Sequence, residues 1–169
     1  MERHVDEELS HLRAEITRMG MLVEQSIERS IAALRSLSVP SAREVIVADV
    51  CIDECEVSIV KRCVDLLALQ QPMAKDLRFV TMAMQINTDL ERMGDLAVDI
   101  AQRVLELADK PLLKPLIDIP KLAVIAQEMT RDVIRAFLAS DTALAKIVIG
   151  RDSEADALRN LVQTELLND

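Results

Sequence analysis

The sequence predicts an all-α protein built as tandem antiparallel three-helix bundles, the second of them incomplete. Three observations carry this. Apolar side chains recur in steps of 3 and 4 along five segments, the spacing of one helix face. The apolar half of the chain is almost wholly aliphatic, with Phe79 and Phe137 its only aromatic residues. Three Gly and five Pro in 169 residues leave little for the tight turns of a sheet protein, which also draws on aromatic cross-strand pairs.

The first helix is expected over residues 5–37. Leu9, Leu12, Ile16, Met19 and Val23 form its stripe, which drifts onto Ile27, Ile31 and Leu34 as a straight helix must against a seven-residue repeat. Ser38, Val39, Pro40 and Ser41 read as the stop, with Ser41 capping the next helix. The second helix is expected over residues 42–69, with Val45, Ile52, Ile59, Cys63 and Leu66 inward. It ends at Gln71-Pro72 because a residue before Pro avoids the α region. Pro72 is placed to open the third helix, expected over residues 73–108. Ala83, Ile86, Leu90, Met93, Ala97, Ile100, Val104 and Leu107 line its inner face over roughly 50 Å, at 1.5 Å per residue. Short links make these three rods antiparallel neighbours in a first bundle, residues 1–110.

Residues 111–120 hold Pro111, Pro115 and Pro120 and read as a stiff linker. Residues 121–169 read as the first two helices of a second, truncated bundle. The fourth helix, residues 121–139, turns Leu122, Ile125, Met129, Val133 and Ala136 inward. Ser140, Asp141 and Thr142 make a turn and cap. The fifth helix, residues 143–167, carries Leu144, Ile147, Val148, Ala155, Leu158, Leu161 and Val162. The eight Met residues read as core filling on inner faces. A lone helical hairpin cannot bury an apolar stripe on two sides, so the last two helices are expected to borrow partners from a second copy, giving a homodimer.

Composition narrows the function. A net charge of −9 repels phosphodiester backbones, and there is no aromatic platform for bases, so no nucleic-acid partner is expected. No run of about 18 apolar residues exists, so no membrane insertion is expected. The N-terminus, MERHVDEELSHLRAE, is charged throughout and does not read as a signal peptide; the cytoplasm is the expected location. Cys51, Cys55 and Cys63 are odd in number, suit no zinc site by spacing, and read as small hydrophobes in a reducing compartment. There is no Gly-rich phosphate loop, no nucleophile elbow, and no Ser or Cys with a His at helical spacing, so no enzyme is expected. Glu8-x-x-His11 is one half of a di-iron pair without its other half; both residues read as surface, which disfavours ferritin-like iron storage.

The residues that could carry chemistry are acids. Asp49, Asp53 and Glu56 follow i, i+4, i+7 on the second helix, and Glu91, Asp95 and Asp99 follow i, i+4, i+8 on the third. Projected around the helix, Asp49 and Glu56 fall at the edges of the stripe that Ile52 centres, and Asp53 just outside it. Glu91 borders the apolar face of its own helix. Like charges at this spacing repel by about 0.2–0.5 kcal/mol per pair, which a cation between two such stripes relieves. All-carboxylate ligation suits a hard ion: Mg²⁺, Mn²⁺, Ca²⁺ or oxygen-ligated iron. The pair Asp49-x-x-x-Asp53 recurs 103 residues later as Asp152-x-x-x-Asp156. The opposing readings are a solvated acidic face on a metal-free helical scaffold or oligomerisation module, and a metal-dependent hydrolase.

Residues 71–103 read QPMAKDLRFVTMAMQINTDLERMGDLAVDIAQR. This resembles the signature helix of the PhoU family, QP-x-A-x-DLR followed by DLER-x-GD. Gln71, Pro72, Ala74, Asp76, Leu77 and Arg78 match its first part; Asp89, Leu90, Glu91, Arg92, Gly94 and Asp95 match its second. The opening helix, with His4, Leu9, Leu12, Met19 and Val23, is similar to the family's own, and the resemblance covers essentially the whole chain. It implies two tandem three-helix bundles acting as a negative regulator of phosphate uptake and phosphate-starvation signalling. It implies two partners: the ATPase subunit of the Pst phosphate ABC transporter and a PhoR-type sensor histidine kinase. It also implies metal on E/D-x-x-x-D pairs, here Glu91 with Asp95, Asp49 with Asp53, and Asp152 with Asp156. Asp99 stands where the family often has Asn. The ion is divalent or ferric, with iron, Mn, Mg, Zn and Ca all open. A full family member has a sixth helix repeating DLER-x-GD; this sequence stops before it, so the second metal site is expected to lack its principal helix.

Overall fold

A computed structural model of the chain describes residues 2–110 and 116–167, with side chains from residue 5 onward. The elements are α1 (Glu2–Ser36), α2 (Val39–Ala48), α3 (Val50–Asp65), a π-helical turn (Leu66–Gln70), α4 (Ala74–Leu107), α5 (Asp118–Ala139) and α6 (Thr142–Leu167). Among the described residues there is no strand. Asp49, between α2 and α3, keeps helical angles (φ −60°, ψ −30°), so α2, α3 and the π-helical turn form one rod and the expected five rods are present.

The ends of the rods follow backbone chemistry. Leu37 closes α1 in the left-handed region at φ 48°, and the Ser38 N–H reaches back to the Ala33 carbonyl at 3.1 Å. That closure satisfies carbonyls left open by the last turn. The next helix starts at Val39 rather than 42, capped by Ser38 and not Ser41: Ser38 Oγ accepts from the Ser41 N–H at 3.3 Å. Pro40 sits in the first turn, where a missing N–H costs nothing. Gln71, left-handed at φ 46°, stops the second rod, and Met73 is extended before α4. Pro72 therefore lies outside α4 rather than opening it. Helix α5 starts at Asp118, with Pro120 in its first turn rather than in a linker; Pro111 and Pro115 lie outside the described residues.

One buried cluster joins Leu12, Ile16, Met19 and Val23 of α1 to Ile52 and Ile59 of α3, Val80 and Leu90 of α4, and Ile134 of α5. Each such side chain removed from water contributes roughly 1.5–3 kcal/mol. A second cluster of small residues (Ala33, Ala42, Val45, Ala101 and Val104) packs α1, α2 and α4 at the far end.

Ile134 shows where the second hairpin finds cover: α5 packs on α1 of its own chain, and α6 packs on α5. Gly20 makes the approach possible, because a Cβ there would stand 2.3 Å from Ile134 Cδ1. Gln127 Nε2 donates to the Glu24 carbonyl at 3.1 Å, and Arg131 pairs with the Glu24 carboxylate at 2.6 Å. This turns Thr130 and Ile134 inward and leaves Val133, expected inside, exposed. Ile147 and Leu161 are also exposed, because α6 is covered on one side only among the described residues. Met21, Met73 and Met82 are exposed as well and fill no core.

Candidate functional site

The acids of the second rod and of α4 meet along one seam. Gly94 sets its width: a Cβ there would stand 3.0 Å from Ile52 Cδ1 and 3.3 Å from Asp49 Oδ1. Ile52 is buried beneath, so the acids on either side of it are drawn up to α4. Asp49, Glu56 and Glu91 are half-buried; Asp53 and Asp95 are exposed.

Their charges act across the seam. Burial, then Asp53 on the same rod and Asp95 on the facing one, push the Asp49 carboxyl above its ordinary value. Glu91 is raised by burial, then by Asp95, Glu56 and Asp53. Two rods thus contribute five carboxyls to one trough: Asp49, Asp53 and Glu56, with Glu91 and Asp95. Among the described residues, no three His, Cys, Asp or Glu side chains stand together as a metal-holding group.

Asn87 is a residue the sequence reading missed. It lies one turn before Glu91 and is fully buried, and its Nδ2 donates to the Glu56 carbonyl at 3.2 Å. Its Oδ1 has no hydrogen-bond partner among the described residues. Such a buried oxygen left alone costs about 1–3 kcal/mol. The available signal was a lone polar residue on the apolar stripe of α4, between Ala83 and Leu90.

The other expected ligands lie elsewhere. Asp99 is exposed one turn beyond Asp95. Asp152 is exposed on α6, and Asp156 pairs with Arg159 at 2.9 Å. Neither α3 nor α4 packs against α6.

Glu8 is more than a surface residue. Its carboxylate meets Arg62 Nη1 at 2.6 Å, while Glu15 takes Arg62 Nε at 2.9 Å and the Ser58 hydroxyl at 2.9 Å. His11 is exposed, 3.9 Å from Glu8. The three cysteines are free. Burial, then Glu15, push the Cys63 thiol up to about 11, so it stays protonated and packs as a small hydrophobe. Cys55 is buried as expected, whereas Cys51 is only half-buried.

The PhoU domain family matches residues 16–104 and 119–169. A phosphate-specific transport system accessory protein PhoU homolog from Aquifex aeolicus is 41% identical over 160 residues, spanning 95% of this chain and 72% of that protein. A homolog of the same name from Caulobacter vibrioides is 38% identical over 162 residues, spanning 95% and 70%. The crystal structure of PhoU from Pseudomonas aeruginosa superposes with a TM-score of 0.90 at 29% identity, over 96% of this chain and 78% of that one. The phosphate transport system regulatory protein PhoU from Streptococcus pneumoniae gives 0.88 at 29%, over 97% and 77%.

Proposed function

The chain belongs to the PhoU family, and from that premise we propose that it is a cytoplasmic accessory regulator that restrains phosphate uptake and phosphate-starvation signalling. Members of this family are accessory proteins and not enzymes. In this reading the chain docks on the ATPase subunit of the phosphate ABC transporter and on a PhoR-type sensor histidine kinase, and it binds metal through its acidic trough. No described helix is long and apolar enough to cross a membrane.

The observation that supports metal binding most directly is the facing of Asp49 and Asp95 across the seam that Gly94 opens. The five carboxyls that act on one another along the seam offer oxygen donors only, and a shared ion would have to draw them together from their present spacing. That set fits a hard divalent or ferric cation, and Mg, Mn, Ca or iron better than Zn, which favours nitrogen and sulfur. A bound ion would supply the positive charge that the trough lacks. Asp49, Asp53, Glu56, Glu91 and Asp95 would hold it. Asp152 and Asp156 would form a lesser site, since no acidic rod among the described residues faces them.

Elemental analysis of protein purified without added metal, with Mn²⁺- and Fe³⁺-dependent melting, tests the site. Glu91→Gln/Asp95→Asn should lose both the bound metal and the melting shift; unchanged values would leave the acids a solvated face. Binding of the purified ATPase subunit and sensor kinase tests the docking role. Clean failure of both with folded protein counts against it.

A further inference from the structure

An open hollow of about 650 Å³ lies where the start of α4 meets α1 and the tip of the α5–α6 hairpin. Phe79 and Phe137 stack at its floor, and Met82 and Val133, both exposed, widen its mouth. Three cations gather around it: Arg13, Lys75 and Arg78. In a chain of net charge −9 that is a local inversion of sign.

These cations are not equally free. The Arg13 guanidinium lies 4.0 Å over the Phe79 ring, and its Nη1 donates to the Leu138 carbonyl at 2.6 Å. Lys75 and Arg78 are exposed and have no ion-pair partner among the described residues. Two acids also line the hollow, and each has another use. Asp141 Oδ1 accepts the Ala143 and Leu144 N–H groups at 3.0 Å each, capping α6. Asp76 lies in the first turn of α4, where a negative charge favours the helix dipole. Arg78 belongs to the QPMAKDLR stretch, yet its guanidinium has no ion-pair partner among the described residues.

We propose that this hollow docks an acidic amphipathic helix carried by the transporter's ATPase subunit. The apolar face of that helix seats on Met82, Val133 and Phe137, and its carboxylates meet Lys75 and Arg78. An open mouth with an exposed Met suits a helix laid in a groove, which anchors through residues at i, i+3, i+4 and i+7. A small molecule would need a pocket that covers most of its surface. The charge of the groove is opposite to that of the chain, so the partner helix must be acidic to gain from it. This inference rests on the docking role proposed above and gives it a surface.

The test titrates the purified ATPase subunit of the cognate phosphate transporter against wild type, Lys75→Glu/Arg78→Glu and Val133→Asp. Circular dichroism melting confirms that each variant folds. Arg43→Glu, an exposed charge reversal on α2, serves as the control away from the groove, and the sensor kinase as a second ligand. We expect the two groove variants to raise the dissociation constant at least about 10-fold, with wild-type binding weakened by salt and the control unaffected. Equal binding by wild type and groove variants overturns this surface and leaves the docking role standing. Loss of kinase binding alone overturns the assignment to the transporter. Failure of wild type to bind either protein removes the docking role, and this inference with it.

Discussion

Phe79 and Phe137 stack with ring centroids 4.9 Å apart and planes 7° from parallel. They are the only aromatic residues in the sequence, and they come from α4 and α5, on either side of the proline-rich stretch. Arg13 of α1 covers the outer face of Phe79. One stack of three side chains therefore ties α1, α4 and α5 together.

Removing that stack should loosen α5 from the first three rods. Phe137→Ala is expected to cost about 2–4 kcal/mol, because a large partly buried ring leaves a cavity. Phe137→Leu keeps most of the apolar area and should cost about 1 kcal/mol, the part that ring geometry adds. Urea unfolding of Phe79→Leu, Phe137→Leu and the double variant gives the coupling, expected at about 0.5–1.5 kcal/mol. A coupling near zero would make the stack a coincidence of packing.

Arg62 joins α3 to α1 through two carboxylates, Glu8 and Glu15, all three groups being about three-quarters buried. Arg62→Met should cost about 1.5–3 kcal/mol, since it removes charged hydrogen bonds and leaves Glu8 and Glu15 side by side. Arg62→Lys should recover less than half, because an ammonium cannot span both partners in the same geometry. The pH dependence gives a second readout. Burial raises the Glu15 carboxyl, but the bonds from Arg62 and Ser58 and the Arg62 charge outweigh it and hold the group below its ordinary 4.5. Its contribution is therefore complete above 4.5 and lost as pH falls through the depressed folded-state value. In thermal melts across acid pH, Arg62→Met should flatten this acid limb. An unchanged limb would mean that other carboxylates set it.

The acidic trough should show the opposite sign. Asp49 and Glu91 titrate above their ordinary values of 3.8 and 4.5, so between those values and the raised ones the folded state holds more protons than the unfolded state. Stability of the metal-free protein falls as pH rises through that window. Glu91→Gln should therefore stabilise the metal-free protein at neutral pH by roughly 0.2–0.5 kcal/mol per repulsive pair removed, and the gain should vanish below the ordinary value. Saturating Mn²⁺ should reverse the ranking, with wild type melting higher. If Glu91→Gln gives no gain without metal, the carboxyls do not press on one another in solution.

The rods were legible in the sequence because burial imposes a period: every inward position read for helices one to three is buried or half-buried. Glu91 at the border of an apolar stripe, and Asp49 and Glu56 at the edges of another, were legible for the same reason. The second hairpin was harder. Val133 fits a helical stripe as well as Ile134 does, and Gly20 on a distant helix decides which one is covered. Local chemistry also hid the helix starts, since Pro40 and Pro120 read as breakers until the first turn around each is known. The pairing of Glu8 and Glu15 with Arg62 spans about fifty residues, beyond the reach of any local pattern.

The exposed face of the second hairpin should drive self-association. Val124 of α5 and Leu161 of α6 are about half exposed and flank one shallow apolar groove with Leu158. Apolar side chains grouped this way on two adjacent helices mark a contact surface more often than isolated ones do. A two-fold arrangement would set each hairpin against its copy, so that one substitution acts twice per interface. Leu161→Glu places two carboxylates in that contact and should raise the dimer dissociation constant at least about 10-fold, equivalent to about 1.4 kcal/mol. The fold should be spared, because Leu161 is exposed and helix propensity barely changes. Sedimentation velocity across a concentration series, with far-ultraviolet circular dichroism as the folding control, reads both. A wild type that stays monomeric at the highest concentration, or a Leu161→Glu protein that dimerises equally well, would move the contact away from this hairpin.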